Sequence, residues 1–154
     1  MLKLRLIPVF LLFVLYGYPQ SAKIDSLRKV LVSAKNDTTR VNLMIEIGSN
    51  FYRTSPEEAL NYSNQARDLA EKIDFKVGLA YAYKSIGMAY YFQSKPLEAV
   101  LNWQQSLNTF REANYVRGIS NMLNNLGAIY FNEGNDTKAL NYYLESLKVA
   151  EEIH

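Results

Sequence analysis

The chain has 154 residues, 49% of them hydrophobic, with no cysteine and a formal charge of +2. This is enough for one ordinary domain with a buried core and argues against disorder. The missing cysteine excludes disulfides, thiolate metal sites, a cysteine nucleophile and a lipid-modified N-terminal cysteine. Lys3 and Arg5 account for the charge excess, because basic and acidic residues balance beyond residue 22. No basic field is left to attract nucleic acid.

Residues 1–22 have the three-part layout of a secretory signal peptide. Met1–Arg5 is short and positive, and Leu6–Tyr16 is an uncharged run of eleven residues. Gly17, Tyr18 and Pro19 are expected to break the helix there, with small residues following at Ser21 and Ala22. The run falls short of the roughly 20 apolar residues a spanning helix needs, and Pro8 weakens it further. Cleavage after Ala22 would leave Gln20 where a small residue is preferred. The layout favours export, to the periplasm or another extracytoplasmic space, over an uncleaved anchor or a buried helix.

Residues 23–36 read as a short leading helix, Lys23 to Ala34, and a linker. Three similar segments follow, at about 37–74, 75–114 and 115–154, with a spacing of 39 and then 40 residues. Each carries a glycine (Gly48, Gly87, Gly127), an aromatic three residues on (Phe51, Tyr90, Tyr130), and later an alanine (Ala59, Ala99, Ala139). Four after that alanine stands Ser63, Trp103 or Tyr143, and seven after it a small residue (Ala66, Ser106, Ser146). Met44, Ile47, Gly48 and Phe51 fall on one helical face, and so do Tyr83, Ile86, Gly87, Tyr90 and Leu123, Leu126, Gly127, Tyr130. A glycine inside a helix costs about 1 kcal/mol against alanine. Three at one register point to close approach of the second helix, which presents the alanine. Trp103 and Tyr143 are expected to fill the wider space between hairpins as core, not as ligand stackers.

The turns follow the same period. Ser55-Pro56-Glu57-Glu58 reads as a capping box with proline at the first helical position. Asn135 takes the capping place in the third hairpin, and Lys95, a poor cap, takes it in the second. The junction from Asp74 to Ala80 matches that from Asn114 to Ser120.

These residues resemble the tetratricopeptide repeat, over about residues 37–154. That family pattern places a small residue and an aromatic in the first helix, then alanine, aromatic and alanine in the second. The usual unit has 34 residues; the unit of about 40 here is similar to the long-unit variety in the N-terminal exported region of bacterial sensor and regulator proteins. Met44, Tyr83 and Leu123 stand at the family's tryptophan position, and Ser63 departs from its aromatic. The resemblance implies an all-α fold, a right-handed α-solenoid of stacked antiparallel hairpins. Ala70–Asp74 aligns with Ala150–His154, so the sequence stops where a fourth unit would begin. A solenoid normally closes with a polar capping helix. The expectation is a run continuing past His154; otherwise the last hairpin exposes an apolar face open to self-association.

Stacked hairpins line their concave side with the first helix of each. The residues there that face away from the glycine–aromatic core are Asn42, Ile45, Ser49 and Tyr52 in the first unit. The second offers Tyr81, Lys84, Ser85, Met88 and Tyr91, and the third Asn121, Asn124, Asn125, Ala128 and Phe131. Asparagine is a mediocre helix former, so three within five residues fit either recognition of a peptide backbone or a solvated polar face. The carboxylate clamp of some tetratricopeptide co-chaperones is absent: Ile45 and Ser49, then Asn121 and Asn125, replace its basic and amide residues.

Nothing in the sequence forms a catalytic constellation. His154 is the only histidine, there is no nucleotide-binding glycine loop or two-histidine zinc motif, and Glu57-Glu58 and Glu151-Glu152 point apart on their helices. No cofactor and no metal are expected, and the expected partner is a protein or peptide. The resemblance implies an interaction scaffold, read as the extracytoplasmic sensing or docking module of a larger signalling protein with a histidine kinase, nucleotide cyclase or transcription-regulator output downstream. The alternative is a free-standing periplasmic adaptor for envelope proteins.

Overall fold

The computed structural model describes the backbone of residues 10–151 and the side chains of residues 22–151. Met1–Arg5, the start of the apolar run and His154 lie outside the described residues. Among those described are seven α-helices and no strand: α1 Phe10–Ser33, α2 Thr38–Ser49, α3 Pro56–Lys72, α4 Lys76–Phe92, α5 Pro96–Glu112, α6 Val116–Asn132 and α7 Asp136–Glu151. The fold is the all-α helical repeat that the sequence pattern implies.

One expectation fails at the N-terminus. Gly17, Tyr18 and Pro19 do not end a helix, because α1 runs through them to Ser33. A proline removes one backbone hydrogen bond and bends a helix, but the turns on either side can carry it on. No helix among the described residues is long and apolar enough to cross a membrane.

The far end of α1 is fastened to the first hairpin. Ile24 is buried. The Arg28 guanidinium lies over the rings of Phe51 and Tyr62, donates to the Tyr62 hydroxyl at 3.1 Å and pairs with Glu58 at 2.7 Å. Arg40 Nη1 donates to the Leu31 and Ala34 carbonyls at 2.9 and 3.1 Å. It thereby satisfies acceptors that a helix C-terminus leaves open. Asp37 caps α2 through the backbone N–H groups of Thr39 and Arg40.

Each pair α2–α3, α4–α5 and α6–α7 is a hairpin closed around the glycine of its first helix. A Cβ on Gly87 would stand 2.4 Å from Trp103 Cδ1 and 3.0 Å from the Ala99 carbonyl, and one on Gly127 would stand 2.7 Å from the Tyr143 ring. At Gly48 the neighbours are Ser63 Oγ at 3.2 Å and the Ala59 carbonyl at 3.3 Å. Trp103 and Tyr143 therefore pack first inside their own hairpins, over the glycine, a role the sequence reading had given to the space between hairpins. Ser106 and Ser146 tie the other end of the hairpin: their hydroxyls donate to the Ala80 carbonyl at 2.8 Å and the Ser120 carbonyl at 3.2 Å.

Hairpins stack by burying one second helix against the next first helix. Val41, Met44, Ala66, Ala70 and Ala82 form one buried cluster. Ala80, Ala99, Trp103, Leu107, Phe110, Met122, Leu123, Leu126 and Ile129 form the next. Gly78 and Gly118 allow these contacts: a Cβ would stand 2.2 Å from Phe75 at the first and 2.4 Å from Phe110 at the second.

Four turns share one C-cap. The N–H groups of Phe75, Lys95, Tyr115 and Asn135 reach back to the carbonyls of Ala70, Tyr90, Phe110 and Tyr130 at 2.8–3.0 Å. The residue before each has positive φ: Asp74, Ser94, Asn114 and Gly134. This is the six-to-one closure that needs a left-handed residue. Asn135 caps α7 by accepting from the Lys138 N–H at 3.2 Å. Ser55 makes no side-chain cap. Its N–H is already given to the Phe51 carbonyl at 2.9 Å, and Glu58, expected to reach back to it, is held by Arg28.

Candidate functional site

The helical period puts Ile45 and Ser49 on one side of α2, with Tyr52 in the turn that follows it, and Tyr81, Lys84, Ser85 and Met88 on the facing side of α4. The structure brings these seven together with Asn125 of α6 around a groove of about 380 Å³. Two hollows adjoin it at Met88. One of about 410 Å³ is lined by Ser49, Asn50, Tyr52, Arg53, Thr54 and Phe92 as well. The other, of about 190 Å³, adds Tyr91, Trp103, Asn125, Ala128, Ile129 and Asn132.

The walls are held by specific contacts. The Tyr52 and Ser85 hydroxyls are hydrogen-bonded at 2.7 Å, linking the turn after α2 to α4. Burial raises the Tyr52 pKa, with the Ser85 hydrogen bond opposing it. The Tyr52 ring stacks on Phe92, and the Arg53 guanidinium lies 5.2 Å from the centre of that ring. Trp103 Nε1 donates to the Lys84 carbonyl at 3.2 Å, and its ring leans on Tyr91. The Tyr81 hydroxyl donates to that of Tyr115 at 3.5 Å; burial first, then this neighbour, push Tyr81 up to about 12.

Lys84 differs from the rest. It is half-buried in the groove, and burial holds its ammonium below the usual lysine range. Neither its ammonium nor the Asn125 amide has a hydrogen-bond or ion-pair partner among the described residues. On the opposite side a hollow of about 410 Å³ is lined by Gln104, Tyr130, Lys138, Asn141, Tyr142 and Glu145. Its charges are engaged: Glu145 with Arg111, and Lys138 over the Tyr130 ring at 4.8 Å.

Some residues of the sequence reading stay outside the groove. Asn42, Asn121 and Asn124 are exposed and line none of these hollows, and Phe131 is 61% exposed. Ser85 is buried with its hydroxyl committed to Tyr52, which makes it a support of the wall. Arg53, Phe92, Ile129 and Asn132 were not read as lining residues. They sit at or near helix ends, where the period no longer fixes which way a side chain turns. The run Tyr90-Tyr91-Phe92 was the available signal. No group of His, Cys, Asp and Glu among the described residues could hold a metal ion.

A family model described as a tetratricopeptide repeat matches residues 120–154. No curated protein matches the chain. Among solved structures, it is similar to a Rap protein complexed with Competence and Sporulation Factor, with 25% identity and a TM-score of 0.72 over 86% of this chain and 36% of that one. The chain thus spans about a third of that relative. A second similar structure is MamA, with 17% identity and a TM-score of 0.41 over 86% of this chain and 90% of that one. The fold, the repeat model over residues 120–154 and the likeness to the Rap protein define a tetratricopeptide-type helical repeat.

Proposed function

We propose that the groove between α2, α4 and α6 takes an extended segment of a partner protein. The observation that carries this reading is the groove itself: an apolar floor of Ile45, Met88 and the Tyr81 ring, edged by polar groups of which two, Lys84 and Asn125, are not used by the fold. The likeness to a Rap protein solved with a bound factor supports it. Within this reading the chain is the extracytoplasmic sensing or docking module of a larger bacterial signalling protein, and the layout of residues 1–22 supports export.

The groove is tested by selecting peptides from a displayed library on the full chain, then measuring their binding to Tyr91→Ala/Asn125→Ala. Binding should fall at least tenfold while the far-ultraviolet dichroism is unchanged; binding that survives the pair refutes the groove. Export is tested by N-terminal sequencing of protein recovered from outside the cytoplasm, where an intact Met1 rules out cleavage. The same reading includes self-association through α7, whose Leu140, Leu144 and Leu147 are more than half exposed. Sedimentation should show a dimer or larger species that Leu144→Glu returns to monomer, and a monomeric wild-type chain refutes it.

A further inference from the structure

The apolar stripe of α7 departs from the stripes that α3 and α5 carry at the same register. Counted from the repeat alanine, α3 has Leu60, Asn64 and Arg67, α5 has Val100, Gln104 and Leu107, and α7 has Leu140, Leu144 and Leu147. The first two receive the next hairpin. Leu107 is buried in one cluster with Met122 and Leu123 of α6, and Val100 packs against that cluster. Gln104 stays half-buried at the edge and lines the convex hollow. In α3 the middle and end of the stripe are polar, and Arg67 pairs with Asp68. Both junctions between hairpins thus have an amide at the middle position. α7 has a leucine there, and its three leucines are more than half exposed.

Leucines spaced by four and then three residues form a straight seam, the pattern by which one helix pairs with another. The Tyr143 ring, 39% exposed, lies beside it. The other end of the stack limits what can cover this seam. There α1 holds the place before α2 that a preceding second helix would take. Ile24 is buried, Arg28 lies over Phe51 and Tyr62 and pairs with Glu58, and Arg40 holds the Leu31 and Ala34 carbonyls. In a second copy, therefore, α7 finds no open first helix at the N-terminal end, and head-to-tail stacking is blocked. Among the described residues no other helix exposes three leucines. The matching seam in a second copy is that of its own α7.

We propose that α7 pairs with α7 of a second copy across a two-fold axis, forming a closed dimer centred on Leu144. This rests on the self-association reading above and fixes its partner and symmetry. A two-fold contact presents the same patch from both chains, so the middle of one seam meets the middle of the other whichever way the helices run. Each seam then gives the other the apolar cover that α6 gives α5. The sixteen residues of α7 make a seam about 24 Å long. One helix pair of that length falls among the smaller, weaker interfaces, which dissociate at roughly micromolar concentrations.

The chain has no cysteine, so a single introduced thiol reports on one position. The full chain carrying Leu144→Cys is treated with a short bismaleimide, with Leu97→Cys, on an exposed position of α5, as the comparison. Leu144→Cys should give a covalent dimer and nothing larger, in clear excess over Leu97→Cys, and added wild-type chain should suppress it. Sedimentation of the wild type across the micromolar range should show monomer and dimer alone. Leu144→Gln, which restores the α5 pattern, should weaken the dimer roughly tenfold or more with unchanged dichroism. Association in which Leu144→Cys links no better than Leu97→Cys, or species that grow past the dimer, overturns the two-fold pairing and leaves self-association standing through another surface, such as the apolar run of residues 6–16. A monomer throughout overturns both.

Discussion

The three repeat glycines are not equivalent, and substituting each by alanine should show it. At Gly87 a new Cβ would stand 2.4 Å from both Cδ1 and Nε1 of Trp103 and 3.0 Å from the Ala99 carbonyl. Ordinary van der Waals contact requires the indole to move by about 1 Å. That ring is buried and leans on Tyr91, and its Nε1 is committed to the Lys84 carbonyl. Overpacking of this kind costs about 1–3 kcal/mol, and losing the hydrogen bond adds about 1 kcal/mol. The helix gains about 1 kcal/mol on replacing glycine by alanine. Gly87→Ala should therefore destabilise by about 1–3 kcal/mol. At Gly48 the nearest atoms are at 3.2 and 3.3 Å, and one of them is a serine hydroxyl that can turn. The helix gain should offset the tighter contact, leaving Gly48→Ala within about 0.5 kcal/mol of wild type. Urea unfolding followed by dichroism at constant m-value resolves the difference, because 1 kcal/mol moves the midpoint by about 0.5 M at an m-value of about 2 kcal/mol/M. Equal midpoints for the two variants would refute the claim that the indole sits on Gly87.

Three further substitutions probe other joints. The Ser63 hydroxyl is buried with no hydrogen-bond partner among the described residues, so Ser63→Ala should stabilise by about 1 kcal/mol in the same assay. Ser94 holds φ at 58°, where the third hairpin has Gly134, so Ser94→Gly should raise stability by about 0.5–1 kcal/mol; a loss would argue against the left-handed turn. Lys84→Met removes an uncompensated ammonium and should raise the melting temperature of the free chain, by up to about 1 kcal/mol in stability. A destabilised Lys84→Met would mean the ammonium has a partner in the folded chain.

The fold was legible because its signature is stated three times. A glycine, an aromatic and an alanine at fixed offsets can coincide only where two helices touch, and the structure places Gly48, Gly87 and Gly127 at those contacts. The candidate groove was legible where two first helices lie side by side. Ile45, Ser49 and Tyr52 meet Tyr81, Lys84, Ser85 and Met88 there. On α6 the same pattern leaves Asn121, Asn124 and Phe131 outside the groove, for a reason that concerns neighbours and not residue type. Asn124 and Phe131 repeat the positions of Lys84 and Tyr91, and of Ile45 and Tyr52 before them. Tyr52 is covered because Phe92 of the next hairpin stacks on it. No such helix stands beyond α6 among the described residues, so Phe131 is left exposed. Ser55 was misread because a local capping pattern takes no account of the Arg28 that draws Glu58 away from across the chain.

Trp103 connects the repeat signature to the groove. One edge of its ring lies over Gly87, its Nε1 holds the Lys84 carbonyl, and its far side lines the hollow shared with Asn125, Ala128 and Ile129. Ser63 stands at the same position of the first hairpin and has no ring to transmit a shift. A methyl group at Gly87 would therefore displace the groove wall without touching a lining residue, and one at Gly48 would not. Gly87→Ala should weaken binding of peptides selected on the groove severalfold at a temperature where the chain is still folded, and Gly48→Ala should bind as wild type does. Unchanged affinity in Gly87→Ala would separate the tryptophan from the site and confine it to the core.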